Sequence, residues 1–329
     1  MFNNKYVSFR CASLAAVISC LAGSANASVN LMSTDEGWEA NLSGAVPVFL
    51  VVSDFESGED SSRIQSGFNP ASLTIGVKAP SSDGLRVSGQ VQIDTHLQGA
   101  QTQNSGLFES RIYEIQVDGD FGSVNIGKGF GIFNSTAIGD LGSGMGVGLL
   151  GNGADTGNAT AGRIGTGYVY ANFNPRITYT TPDMGGLKMK VGLFNPEEPT
   201  DAAGGVETSA PRIEAQLDYA TEFDGGGFKF WTGFMYQKVE LVVEDLDYDI
   251  QGADIGAHID LGGFGLTLAY QDAHTQPFPV AAVTNELGML FLRHKMTPSL
   301  TFMAEYQDYQ SDVNPGDYNA VAIGFQYDF

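Results

Sequence analysis

From residue 85 to 97 the chain alternates strictly. Leu85, Val87, Gly89, Val91, Ile93, Thr95 and Leu97 take one side, and Arg86, Ser88, Gln90, Gln92, Asp94 and His96 the other. Only a strand sends successive side chains to opposite faces, so this period of two predicts a β-strand with one apolar and one polar face. Globular strands cluster at ~5–6 residues, whereas a tilted strand needs ~9–11 to cross a bilayer. This one has membrane length. The pattern returns at 71–79, where Ala71, Leu73, Ile75 and Val77 are apolar, and at 112–118, where Tyr113, Ile115 and Val117 oppose Ile112, Glu114, Gln116 and Asp118. At 186–194 Leu187, Met189, Val191 and Leu193 oppose Lys188, Lys190, Gly192 and Phe194. At 212–220 Ile213, Ala215, Leu217 and Tyr219 oppose Arg212, Glu214, Gln216 and Asp218. Residues 251–261 set Ala253, Ile255, Ala257, Ile259 and Leu261 against Asp254, His258 and Asp260. Stretches 264–270, 286–294 and 299–308 follow less cleanly, and in 228–239 both faces carry aromatics. No stretch of comparable length has helical period.

About fourteen strands are expected, the first near 38–52. Short turns at Ser81-Ser82-Asp83-Gly84, Gly119-Asp120, Asp183-Met184-Gly185-Gly186 and Gly225-Gly226-Gly227 alternate with longer connections at 53–69, 98–109, 195–209, 240–249 and 272–284. A soluble β-sandwich would put one strand face on a core and the other in water. A transmembrane antiparallel β-barrel would put the apolar face in lipid and the polar face in a lumen, closed because lipid offers no partner to a free backbone group. Strand length, a polar face rich in amide and small residues rather than lysine, and the alternation of short and long loops favour the barrel. Tyr168, Tyr170, Phe173, Tyr179, Phe228, Tyr236, Tyr306, Tyr327 and Phe329 are the expected aromatic girdles.

Residues 1–27 stand outside this pattern. Lys5 and Arg10 precede the mostly apolar run Cys11 to Gly23, and Ala25-Asn26-Ala27 is a small-x-small cleavage site, so a signal peptide cut after Ala27 is expected. Val17-Ile18-Ser19-Cys20 is a competing lipobox reading. Cleavage removes both cysteines and leaves a thiol-free barrel domain, 28–329, in an oxidising compartment. No other stretch approaches the apolar length of a transmembrane helix.

Composition narrows the function classes. The hydrophobic share is 43% against 16% charged, which excludes a disordered polyanion. The 38 acidic residues against 16 basic ones, net -22, argue against nucleic-acid binding.

The chain closes on a strand, with Val321, Ile323, Phe325, Tyr327 and Phe329 on one face. This resembles the final strand of bacterial outer-membrane proteins, which implies recognition of Phe329 by the barrel-assembly machinery. Residues 111–131, R-I-Y-E-I-Q-V-D-G-D-F-G-S-V-N-I-G-K-G-F-G, are similar to the fourth and fifth strands of general-diffusion Gram-negative porins, with Lys128 where those carry arginine. Gly162-Arg163-Ile164-Gly165-Thr166-Gly167 and Arg176-Ile177-Thr178-Tyr179-Thr180-Thr181-Pro182 resemble later porin segments. The resemblance implies an outer-membrane homotrimer of sixteen-stranded barrels, with lipid and lipopolysaccharide as surroundings and a long third loop folded into the lumen. That loop would lie between Lys128 and Arg163. Its implied constriction sets Asp140 and Asp155 against Lys128, Arg163, Arg86 and Arg176, a transverse field that selects polar solutes. Arg111 also matches a porin arginine, but strict alternation puts it on the lipid side; a bulge or an interfacial position would be needed, and it stays outside the set.

No cofactor is implied. Gly122-x4-Gly127-Lys128-Gly129 lacks the Ser/Thr of a phosphate loop and no helix follows it. His96, His258, His274 and His294 have no metal spacing. The expected function is passive diffusion of ions and small hydrophilic solutes, leaning to cations because acid is in excess. The excess also sits in runs such as 54–60 and 244–247, which suit divalent ions at the lipopolysaccharide layer or simple solvation. A substrate-specific channel, a barrel adhesin or receptor, and a barrel hydrolase are the alternatives. The hydrolase would need a nucleophile or water-activating pair beside His96 or His258.

Overall fold

The structure is a computed structural model that describes residues 28–56, 60–66, 71–95, 108–138, 171–196, 206–207, 210–241, 246–261, 264–274, 285–311 and 317–329. The expected signal peptide, Tyr168, Tyr170 and His96 lie outside these residues.

The strands, in chain order, are β1 (Val29–Ser33), β2 (Glu39–Phe55), β3 (Ser61–Gln65), β4 (Ala71–Lys78), β5 (Arg86–Thr95), β6 (Glu109–Gly119), β7 (Gly122–Phe130), β8 (Phe173–Thr180) and β9 (Leu187–Phe194). Then come β10 (Val206–Glu207), β11 (Arg212–Phe223), β12 (Gly226–Leu241), β13 (Leu246–Leu261), β14 (Phe264–His274), β15 (Asn285–Lys295), β16 (Leu300–Ser311) and β17 (Tyr318–Asp328). One four-residue helix, α1 (Ser135–Ile138), follows β7. Fourteen of the described strands have eight residues or more, in line with the count of about fourteen expected from the alternation.

Every ladder is antiparallel. β2 pairs with β4, each long strand pairs with the next as far as β9, and β9 pairs with β11 to continue the meander to β14. β15, β16 and β17 form a second run, and β17 lies against β2 from Tyr318↔Phe55 to Asp328↔Ala45. The beginning and the end of the chain are therefore neighbours in one sheet, the arrangement a barrel requires.

Burial is inverted relative to a soluble protein. On β17 Val321, Ile323, Phe325 and Tyr327 are 42–48% exposed, while Ala320, Ala322, Gln326 and Asp328 between them are buried. Val87, Val91, Ile93, Leu73, Ile75, Val77, Met189, Val191, Leu193, Ile213 and Ile255 are likewise exposed, whereas Asp94, Glu114, Arg212, Glu214, Gln216 and Asp254 are buried. An apolar belt outside and polar groups within is the solution lipid imposes. It also resolves β12: Phe234 faces outward, and Trp231, Met235, Gln237 and Val239 point in.

Three expectations change. Residues 240–249 are not a long connection, because β12 and β13 stay paired out to Leu241↔Leu246. Lys238 stands opposite Asp249, and the Tyr236 hydroxyl donates to Asp249 Oδ1 at 2.8 Å, so the acidic hairpin is zipped by its own partners. The turn at Gly225-Gly226-Gly227 shrinks to Asp224 and Gly225, with both later glycines in β12. Phe173 belongs to no girdle: it is buried inside the wall, 5.1 Å from the Phe130 ring.

Candidate channel constriction

The chain leaves β7 at Phe130 and turns inward. The first amide, Gly131 N–H, donates to Asn172 O at 2.8 Å. The next two, Ile132 and Phe133, both donate to Glu214 Oε2 on β11, at 2.6 and 3.0 Å. Further along, Thr136 Oγ1 donates to Asp218 Oδ1 at 3.0 Å and Gln216 Nε2 donates to Thr136 Oγ1 at 2.6 Å. Glu214, Gln216 and Asp218 are alternate residues of one strand, so their side chains share the inner face and form a track for the inturned segment. Phe133 is 1% exposed and packs with Met235, Val239 and Ile250 of β12 and β13. Two wall glycines leave the room: a Cβ on Gly192 would lie 3.1 Å from Ile132 Cδ1, and one on Gly233 3.4 Å from Phe133 Cδ2. Burying a phenylalanine contributes ~1.5–3 kcal/mol, and a hydrogen bond to a charged group about the same. Both hold residues 131–136 against the wall of β9, β11, β12 and β13, in agreement with the expected inward course of the third loop at its start.

Four cations of the inner wall are each paired with a carboxylate. In the β5–β6 ladder Gln92 faces Ile112 but Ile93 faces Ser110, so Arg111 is the extra residue of a bulge. The bulge turns it inward, where it is 8% exposed. Its Nε lies 3.1 Å from Asp94 Oδ2, its Nη2 3.3 Å from Glu109 Oε2, and its guanidinium 5.2 Å from the centroid of the Phe173 ring. Arg176 Nη2 meets Glu114 Oε2 at 2.8 Å, and its Nη1 donates to Phe130 O. Arg212 Nη2 meets Glu214 Oε1 at 2.7 Å while its guanidinium stands over Phe194. Lys190 Nζ meets Asp218 Oδ2 at 3.0 Å. A cation removed from bulk water needs a carboxylate to offset its desolvation, and for Arg111 and Arg212 an aromatic face adds a second contact.

The six residues expected at the constriction divide three ways. Arg176 is on the inner wall, held as above. Arg86 also faces inward, opposite Asp118, and lines a cavity of about 770 Å³ with Glu39, Asn41, Lys78, Gln90 and Gln116. Lys128 is a correction: it pairs in register with Tyr113, which is 66% exposed, and shares the outward face of Ile126. Its Nζ donates to Ser110 O at 2.8 Å. Ile126 and Lys128 are alternate residues of β7 and so share one face, whereas the motif likeness had placed Lys128 in the pore. Asp140, Asp155 and Arg163 lie outside the described residues. Sequence reasoning missed Arg111, Glu214 and Asp218 as site residues. The polar face of 212–220 held the signal for the last two, and for Arg111 the likeness to a porin arginine was the signal, set aside because the bulge that turns it inward breaks the alternation. Among the described residues no group of three or more His, Cys, Asp or Glu is placed to hold a metal.

A sequence profile of Gram-negative porins matches residues 12–329. No curated protein matches the sequence. Among solved structures, the outer membrane channel DcaP of Acinetobacter baumannii superposes with a TM-score of 0.62 at 14% identity, over 91% of this chain and 99% of that one. The anion-selective porin from Comamonas acidovorans gives 0.60 at 15%, over 89% and 100%. Salmonella typhi OmpF, in complex with daunomycin, gives 0.52 at 14%, over 92% and 100%. At such identities these structures speak for the barrel alone, and the profile, which spans nearly the whole chain, speaks for the family. With an apolar exterior, a polar wall and the segment 131–136 turned inward, the chain belongs to the Gram-negative porins, outer-membrane β-barrels through which solutes diffuse passively.

Proposed function

We propose that this porin passes ions and small hydrophilic solutes down their gradients with a preference for cations, without chemistry or a cofactor. One observation carries the preference: Arg111, Arg176, Arg212 and Lys190 on the inner wall are each consumed by a carboxylate. A paired cation attracts few anions, so the field met by a passing ion is set by the surplus of acid: of the 38 acidic and 16 basic residues, cleavage after Ala27 removes two basic ones, Lys5 and Arg10. Arg86 is the counterweight, and Asp140 and Asp155 set against Arg163, Arg86 and Arg176 form the proposed narrowest region. The rest of the reading comprises cleavage after Ala27, delivery by the barrel-assembly machinery through Phe329, assembly as a homotrimer, and contact with lipid and lipopolysaccharide. The test is the zero-current potential across a planar bilayer with a tenfold KCl gradient. A potential of the sign for K⁺ over Cl⁻, reduced in Asp140→Asn, supports the reading, and a potential of the opposite sign overturns the preference.

A further inference from the structure

We infer that Glu214 is the positioning residue that fixes the inturned segment 131–136 to the barrel wall and thereby keeps the passage open. The inference rests on the channel reading above.

Glu214 is 1% exposed, and both of its oxygens are engaged. One takes two successive backbone amides, Ile132 and Phe133, and the other takes Arg212. These amides lie just beyond β7, where the ladder with β8 has ended at Phe130↔Phe173, so no strand is left to accept from them. A carboxylate is the one side chain that accepts from two donors on one oxygen and still neutralises a guanidinium with the other. Arg212 is itself seated on Phe194, so the group that orients Glu214 is held from behind. Gln216 and Asp218, two and four residues on, add part-buried contacts to Thr136. Phe133 gives the segment affinity for the wall, but an apolar contact is non-directional, whereas the amide pair fixes where the backbone turns. Without Glu214 the two amides and the guanidinium lose their common partner. The segment can then lift away from the wall, toward the lumen.

The experiment compares the wild type, Glu214→Ala and Glu214→Gln in planar bilayers, after a heat-shift gel shows each barrel folded. Glu214→Ala is expected to break the single open level into sub-levels and to lower the closing voltage by about half. Glu214→Gln, which keeps an oxygen for the amides but loses the charge, should fall between. A second measurement separates positioning from general damage. Thr136→Cys with Asp218→Cys, in the Glu214→Ala background, is bridged by a short bis-methanethiosulfonate. Cys11 and Cys20 are the chain's other thiols, and both precede residue 28. Bridging should restore the single level, and reductant should abolish it again. Wild-type gating in both Glu214 variants overturns the inference, as does a bridge that restores nothing. An absence of open steps in the wild type contradicts the channel itself and is read separately from either result.

Discussion

Gly44 and Phe329 bond to each other in both directions. The Gly44 N–H donates to Phe329 O at 2.8 Å, and the Phe329 N–H donates to Gly44 O at 3.1 Å. The last residue of the chain is thus part of the first long strand's ladder, and its ring lies over the glycine, 2.7 Å from where a Cβ would sit. A side chain at position 44 would meet both that ring and Ser72 O.

Deleting Phe329 removes two ladder bonds and a half-buried ring. The expected loss is about 2–4 kcal/mol of barrel stability, read as a lower urea midpoint for refolding in detergent. Gly44→Val should cost a similar amount by displacing the ring. An unchanged midpoint in both would mean that the terminal pair contributes nothing to closing the sheet.

The glycines beneath the inturned segment give a second prediction. Gly192→Val drives atoms into Thr178, Phe194 and Ile132, and Gly233→Val into Asp254 and then Phe133, and each should cost about 1–3 kcal/mol. Gly227→Ala is the control, since its Cβ would meet only Thr221 O at an ordinary 3.5 Å. Denaturation midpoints check all three, and equal effects would remove the close-approach argument.

How much of this was legible can be read residue by residue. The strand at 85–97 was plain because lipid and lumen demand opposite side chains, and Val87, Val91 and Ile93 do face outward while Asp94 faces in. β12 was not, because its inner face is covered by Phe133 and is apolar as well, so Met235 and Val239 erase the alternation. Arg111 escaped since a bulge depends on how β5 and β6 pair, not on either strand alone. Glu214 was visible as an inward carboxylate, but its partners are backbone amides, which carry no signature in sequence.

The Arg111 cluster yields a third prediction. Arg111→Ala leaves Asp94 and Glu109 buried without their cation, and should cost about 3–5 kcal/mol. Arg111→Met combined with Asp94→Asn and Glu109→Gln should recover most of it, since no charge is then left unpaired. Arg111→Lys should recover little, because an ammonium lacks the fork and the flat face that meets Phe173. Equal midpoints for the single and triple variants would show that the cluster is not coupled.

The short turn between β8 and β9 titrates. Asp183 accepts the Gly186 N–H at 2.7 Å, and this bond, with Lys188 at 3.4 Å, holds its carboxyl below the usual carboxylate range. A lowered pKa in the fold means stability that is present above the unfolded value, ~3.9, and lost as pH falls through the folded one. Asp183→Ala should therefore lower the midpoint at pH 7 by a small margin that closes below about pH 4. A margin constant from pH 7 to pH 2 would contradict the assignment.

The most direct measurement is the single-channel conductance of the purified chain in a planar bilayer, taken over a range of KCl concentrations. Discrete open steps that grow in proportion to bulk conductivity are expected of a water-filled barrel with an apolar exterior. A chain that inserts without conducting, or that stays soluble and monomeric with no detergent, would contradict it.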